Sequence, residues 1–534
     1  MRMPGRLRAF FNPATPDPLR APRRIFWVGF AVRVLYLTLA HTYRIRGAED
    51  HFQFGWEAGR IARALVTGYG YADPFANAFY AHTGPTAWLP PLYPLLLAGI
   101  FKLFGVFTLT SAWVLFTLQS AFSAATALAT WEIAARILNR RVALWSAWIW
   151  ALYPAAMQYA VRWPWEMTIT TALFSFVLVL SLRMRGIGQG TGIREQGTKC
   201  REQGLGNREQ GTKCREQGLG NREQGAKCGE QETGGYEQGA RVGAAPWQRS
   251  EQRDHGTQVA PGRSSLFPVP CSLPCCSLPS CSLPSWLVFG VLWALIALSN
   301  STLLIFLPVN GLWILLPRMG DLRGMRGRGI AGVLAGPALA ALVFLACIAP
   351  WTIRNFDVFH TFIPLRGNFG AELYMGNGPG ANGLLMEYYH PFQDPTQLRL
   401  YAEMGEVRYV AMRAAAAKAI IAAHPGHFLA DCGRRVYFFW AGVPHPSDEA
   451  WYNEVGRTVN FAFLSLAGLF GLALALRNRV PAAGLLGWAF LLLPVPYYVV
   501  TVHARFRHPL EPLIAILGVY LFQSAERRGR VPKS

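Results

Sequence analysis

Apolar runs close to twenty residues long recur from one end of this chain to the other, at about 25–42, 89–107, 112–136, 142–161, 166–183, 285–300, 302–317, 329–349, 458–476, 481–500 and 509–523. A helix needs roughly 20 such residues to cross the ~30 Å hydrocarbon core of a bilayer. Recurrence on this scale excludes a soluble domain on a single anchor. Only 15% of the 534 residues are charged, where a soluble domain carries about a quarter. The net charge of +21 lies largely in short segments flanking the apolar runs. No basic stretch is interleaved with aromatics, so the charge is read as membrane topology and nucleic acid is set aside as a partner.

Topology follows from those basic segments. If all eleven runs cross, the clusters at Arg136/Arg140/Arg141, at 318–328 and at Arg477/Arg479 cannot share a side with the arginine-rich N-terminus. Treating 89–107 as non-crossing puts every short basic cluster on one side, as the positive-inside rule prefers. That run carries Pro90, Pro91 and Pro94 in its first turns and Lys102 near its middle, which suits a helix lying along the interface. Arg33 interrupts the first run and no small-residue cleavage site follows, so an uncleaved first span is expected, with Arg33 paired inside the bundle or snorkelling.

The expected fold class is therefore an all-α integral membrane protein of about ten transmembrane helices plus interfacial juxtamembrane helices, a mixed outer loop domain and a disordered cytoplasmic insertion. The divisions are a cytoplasmic N-terminus (1–24), a membrane module (25–183) with a first outer loop (43–111), the insertion (184–284), membrane helices (285–350), an outer loop domain (351–457), C-terminal membrane helices (458–523) and a cytoplasmic tail (524–534). The insertion repeats "TKCREQGLGNREQG" and holds seven of the nine cysteines, Cys200, Cys214, Cys228, Cys271, Cys275, Cys276 and Cys281. Polar repeats this poor in apolar residues cannot bury a core, and their cysteines lack the spacing of a metal site or a disulfide framework.

Charged and aromatic residues gather on the outer side, where an active site is to be sought. In "GAEDHFQFGWEAGRIARAL" (47–65), Asp50 and Glu57 are seven apart and project from nearly the same face of an expected surface helix, with Glu49 beside them. Such carboxylates either form a solvated acidic face or supply a general base. In "VRWPWEMTITTAL", Glu166 stands at the lip of a span between aromatic anchors, a costly place unless it faces a cavity or a partner. Arg354, in "APWTIRN", sits about one turn above the membrane, where a guanidinium fork suits a lipid phosphate or anchors the span. "VHARFRHPLEP" (502–512) joins two apolar runs; in an extended turn Arg505 and Arg507 would point the same way, with His503 close by, as a phosphate clamp. No HExxH, GxSxG or GxxxxGK motif and no metal-ligand spacing appears, so no cofactor and a metal-independent site are expected.

The acidic helix after the first span, "GPTAWLPPLYPLLLAG", the Trp-Glu pair at 165 and 166, "APWTIRN", "HPGHFLADCGRRVYFFW" and "ARFRHPLEP" together resemble the polytopic GT-C glycosyltransferases. Within these the chain is most similar to the bacterial branch related to protein O-mannosyltransferases and lipid A aminoarabinose transferases. The resemblance covers nearly the whole chain outside the insertion, and it lies in the order and sidedness of the motifs. It implies transfer of a sugar from a polyprenyl-phosphate donor to a lipid, polysaccharide or protein acceptor at the periplasmic face of the bacterial inner membrane, by inverting displacement. It places the base at Asp50 or Glu49, with Glu57 as a rival because "FQFGWEAG" departs from the family pattern, and a second acid at Glu166. Arg505, Arg507 and Arg354 would meet the leaving lipid phosphate. The Glu-Lys pair that aminoarabinose transferases carry before the double proline is replaced here by "TAWLPP", against that donor and against lipid A. Two other classes compete: a transporter or flippase of lipid-linked sugars, which would bury polar groups at the midplane and repeat its spans, and a catalytically inactive membrane scaffold.

Overall fold

The computed structural model describes residues 22–45, 52–188, 282–321, 330–384, 386–444 and 451–529. The chain divides into two units, Met1–Gln189 with Leu278–Ser534, and Gly190–Ser277; every described residue belongs to the first. The repeat insertion and its cysteines, Glu49 and Asp50 lie outside the described residues.

The described part is mostly helical, with α-helices in the order α1 Pro22–Leu39, α2 Phe52–Gly55, α3 Glu57–Val66, α4 Leu92–Phe104, α5 Leu109–Ile137, α6 Arg140–Leu152, α7 Pro154–Val161, α8 Met167–Met184, α9 Leu283–Ser299, α10 Leu307–Asp321, α11 Ile330–Phe359, α12 Phe369–Asn377, α13 Pro395–Met404, α14 Glu406–Ala423, α15 Pro425–Ala441, α16 Trp451–Arg477, α17 Ala483–Leu492, α18 Val495–Val499 and α19 Glu511–Gly529. Four of these have stretches long and apolar enough to cross a membrane: Leu109–Ile137, Met167–Met184, Gly332–Phe359 and Glu454–Arg477. Shorter apolar helices cover Leu92–Phe104, Leu283–Ser299, Ser301–Leu316 and Ala483–Val499. The thirteen residues of α4 span about 20 Å at 1.5 Å per residue, short of a bilayer core.

The largest core joins α5, α6, α8, α9, α16, α17 and α19 through side chains such as Ile133, Phe174, Trp293, Leu486 and Leu517. Where α16 crosses α19, a Cβ on Gly471 would collide with the Leu517 carbonyl. Only glycine lets the two backbones approach so closely, the small-residue packing expected where lipid supplies no hydrophobic drive.

Three features depart from the sequence expectation. The segment 351–457, expected to be a mixed outer loop domain, holds helices and no strand among its described residues; the described part as a whole has one isolated bridge, between Ala72 and Pro85. Helix α11 continues to Phe359, past the expected membrane exit at 350 and through Pro337 and Pro350. The runs at 142–161 and 481–500 are each broken, at Tyr153 and at Leu493/Pro494.

The first break explains the arginine in the first run. Pro154 has no N–H to donate to the carbonyl of Trp150, four residues back, so that oxygen is stranded in the bundle. Arg33 is fully buried and reaches across from α1, donating to Trp150 O at 3.2 Å, Ala151 O at 2.6 Å, Gly29 O at 3.0 Å and Ser123 Oγ at 3.1 Å. Arg33→Met would leave at least two buried carbonyls without donors, at about 1–3 kcal/mol each. Thermal unfolding in detergent should show a clear drop in midpoint, only partly restored by Arg33→Lys, whose single point charge lacks the fork.

Candidate active site

The segment after α1 enters the site through strained backbone. Phe54, Gly55 and Trp56 have φ of 63°, 86° and 60°, a conformation that costs non-glycine residues about 1–3 kcal/mol and persists only where surroundings enforce it. The enforcement is visible: a Cβ on Gly55 would strike the carbonyl of Pro164, and Phe54 is buried against Phe101 and Phe107, at ring distances of 5.2 and 5.6 Å. The kink seats the first loop against the Trp163–Pro164–Trp165 corner and makes Glu57 the first residue of α3. Its Oε1 lies 3.0 Å from His390 Nε2. Burial pushes the Glu57 carboxyl up, but the hydrogen bond from His390, a backbone hydrogen bond and the Arg505 guanidinium beyond outweigh it and hold the group below the usual carboxylate range.

Glu166 stands at the N-terminal boundary of α8 and its side chain makes no capping hydrogen bond there. The corner before it is rigid: Trp163 and Trp165 stack at 4.7 Å and 18°, and Gln119 Nε2 donates to Trp165 O at 2.8 Å and to Trp163 O at 3.3 Å. The Arg505 guanidinium lies over the Trp165 ring at 4.1 Å and near Phe506 at 5.3 Å. Its Nε is buried with no hydrogen-bond partner among the described residues. His503 Nδ1 accepts from Arg505 N at 3.2 Å, and its ring stands edge-on to Trp165 at 5.5 Å.

Arg507 does not join Arg505, which corrects the clamp expected from spacing. The turn is a 3-10 helix over Ala504–Leu510 rather than an extended strand. At about three residues per turn, positions two apart diverge by roughly 120°, so Arg507 enters the bundle. It is 1% exposed, donates to Ser465 Oγ at 2.6 Å and Phe461 O at 3.2 Å, and lies 3.6 Å from Glu511, itself 2.7 Å from His508 Nδ1. Arg354 is also turned away from the cavity. It donates to Tyr71 O and Thr86 O, both at 2.7 Å, and pins the loop that carries Trp88.

That loop is fixed from its other side by Glu406, buried at the start of α14. It accepts from Thr86 Oγ1, from Ala87 N at 2.8 Å and from Tyr401 OH at 2.8 Å, and burial raises its carboxyl above the ordinary range. Glu406→Ala would strand three donors and should cost about 3 kcal/mol or more. Glu406→Gln keeps an acceptor and should unfold at a temperature between that of the alanine variant and the native chain.

These elements enclose a cavity of about 1450 Å³ lined by Glu57, Glu166, His503 and Arg505 from the sequence expectation. Arg354 and Arg507 do not line it, and Glu49 and Asp50 lie outside the described residues. Sequence reading missed His390, Tyr497 and the chain formed by Arg366, Asn368 and Glu372, where Arg366 Nε donates to Asn368 Oδ1 at 2.6 Å and Asn368 Nδ2 to Glu372 at 2.9 Å. The four-residue spacing of Asn368 and Glu372 at the start of α12 was the available signal; His390 offered none. Among the described residues no group of three or more His, Cys, Asp or Glu is arranged to hold a metal ion. A site for one small molecule usually occupies about 300–1,000 Å³, so this volume has room for two reactants side by side. Carboxylates to take a proton, a guanidinium to meet an anion and aromatic walls are the chemistry on offer.

No family model matches the chain, and no curated protein matches it. It is similar to solved structures of the Archaeoglobus fulgidus oligosaccharyltransferase. The apo form is 11% identical, with a TM-score of 0.46 over 96% of this chain and 51% of that one. The complex with an inhibitory peptide and a dolichol-phosphate is 10% identical, with a TM-score of 0.46 over 96% and 51%. The chain spans about half the length of these structures.

Proposed function

We propose that the chain is a GT-C-type membrane glycosyltransferase that moves a sugar from a polyprenyl-phosphate donor to an acceptor at the periplasmic face of a bacterial inner membrane. In this reading about ten helices cross, both termini are cytoplasmic and the cavity opens outward. The observation that carries it is the convergence of Glu57, Glu166 and Arg505, from three segments far apart in sequence, on one cavity large enough for a donor headgroup and an acceptor. The order of motifs in the sequence supports the same class.

The chemistry is an inverting displacement. An acceptor oxygen attacks the anomeric carbon while the bond from that carbon to the phosphate oxygen breaks. The electron pair leaves with the polyprenyl phosphate, and the acceptor's proton passes to a carboxylate. Glu166 is the candidate among the described residues, and the first-loop acids Asp50 and Glu49 are the candidates from the family resemblance. Arg505 meets the charge growing on the phosphate; a cation already in place needs no reorganisation as the bond breaks. Its stacking on Trp165 holds the guanidinium without neutralising it. Neither reactant requires a cofactor in this scheme. The acceptor is a lipid, a polysaccharide or a protein. Mass spectrometry of envelope glycans from cells lacking the chain should show one glycan missing a single sugar; an unchanged profile under conditions where the chain is expressed would count against the proposal.

A further inference from the structure

The Glu57–His390 contact is built with more care than a chance ion pair. His390 Nδ1 accepts the backbone N–H of Phe392 at 3.2 Å, two residues on, so the ring's other nitrogen carries the proton that faces Glu57 Oε1 at 3.0 Å. The tautomer is set by the chain itself. Phe392 then grips helix α3 on both sides of the carboxylate. Trp56, just before Glu57, meets its ring edge-on at 4.6 Å, and the Arg60 guanidinium, one turn later, lies over it at 4.4 Å. The imidazole is wedged edge-on against Phe75 at 5.3 Å and Trp88 at 5.9 Å. A His-Pro-Phe clip from the loop before α13 thus fixes the orientation of one carboxylate at the cavity wall, while Glu166 has no ion-pair partner among the described residues.

We infer that His390 is a positioning residue that holds Glu57 as a fixed anion beside the anomeric carbon, where it stabilises the positive charge that develops there and leaves the acceptor's proton to another carboxylate. This rests on the glycosyl-transfer reading and assigns two carboxylates two roles through their surroundings. A carboxylate already bonded to an N–H donor gains least from a proton; an unpaired one gains most. The titratable and charged groups facing Glu57 are His390 from the clip, which donates through Nε2, Arg505 from the turn before α19 and Arg60 from its own helix. Loss of His390 removes the hydrogen bond that helps keep the Glu57 carboxyl low, so its folded pKa rises and the anion is lost at a higher pH than in the native protein.

The test measures release of undecaprenyl phosphate from undecaprenyl-phosphate glucose, mannose and arabinose by purified full-length protein, with solubilised envelope extract as acceptor. His390→Phe should lower kcat roughly a hundredfold, change donor KM by less than about threefold, and move the acid limb of the rate profile to higher pH. His390→Gln keeps a donor where Nε2 stood and should recover to within about tenfold of native. Glu57→Gln combined with His390→Phe should be no slower than Glu57→Gln alone, because both remove one device. A native kcat and pH profile in His390→Phe overturns the inference, as does multiplicative loss in the double variant. A His390→Gln variant that melts like the native protein but is as slow as His390→Phe also overturns it. Native protein that releases nothing from any of the three donors overturns the glycosyl-transfer reading itself, a result distinct from the others.

Discussion

Arg505→Gln is expected to raise the donor concentration needed for half-maximal rate by about 10- to 100-fold, the range set by one charge-assisted hydrogen bond to an anion, while leaving the melting temperature where it was. Arg507→Gln, two residues on, should do the reverse. Arg505 is held by stacking on Trp165 and gives up no ion pair among the described residues when removed. Arg507 is buried against Phe461 and Ser465 and lies within ion-pair distance of Glu511, so its loss removes the cation beside a buried carboxylate and leaves that carboxylate to His508. Breaking a buried pair in this way costs about 3–5 kcal/mol. Donor titrations and thermal unfolding of the two variants therefore separate a binding cation from a structural one. Equal effects of the two substitutions on donor KM would restore the paired clamp that sequence spacing alone suggested.

Glu166→Gln should lower kcat by about 10²- to 10⁴-fold, the usual contribution of a positioned base, with donor KM and melting temperature close to native. The substitution is nearly isosteric and breaks no ion pair among the described residues, since the corner it follows is held by Gln119 on the backbone of Trp163 and Trp165 and by the stacked indoles. Glu57→Gln should also slow the reaction, but by removing a fixed charge. If Glu166→Gln is fully active while Asp50→Asn or Glu49→Gln is inactive, the proton goes to the first-loop acid and Glu166 is left to orient the acceptor.

The residues that could be read from sequence were those whose chemistry conflicts with their surroundings. A carboxylate at the lip of an apolar run, as at Glu166, and an arginine within one, as at Arg33, have to be satisfied by something, and both are tied to specific structure. What could not be read was direction. Arg505 and Arg507 differ in role because the turn winds as a 3-10 helix, and hydropathy does not distinguish that from an extended turn. The break at Tyr153 was signalled by Pro154, but a count of apolar residues passes over a missing N–H. His390 meets Glu57 from the segment before α13, a contact decided by tertiary packing, with no local pattern to announce it. Helix α11 outlasts its apolar stretch because nothing in 351–359 breaks a helix, whereas apolarity only marks where lipid ends.

Breaking the bond between a sugar and a lipid phosphate is what separates transfer from transport in this cavity. Purified protein in liposomes, given undecaprenyl-phosphate sugar labelled in the sugar together with envelope extract as acceptor, reads that step directly. Label is expected to move onto acceptor in step with the appearance of undecaprenyl phosphate, with Glu166→Gln and Arg505→Gln depressing both together. Label carried across the bilayer with the sugar-phosphate bond intact would contradict it and assign the chain to transport.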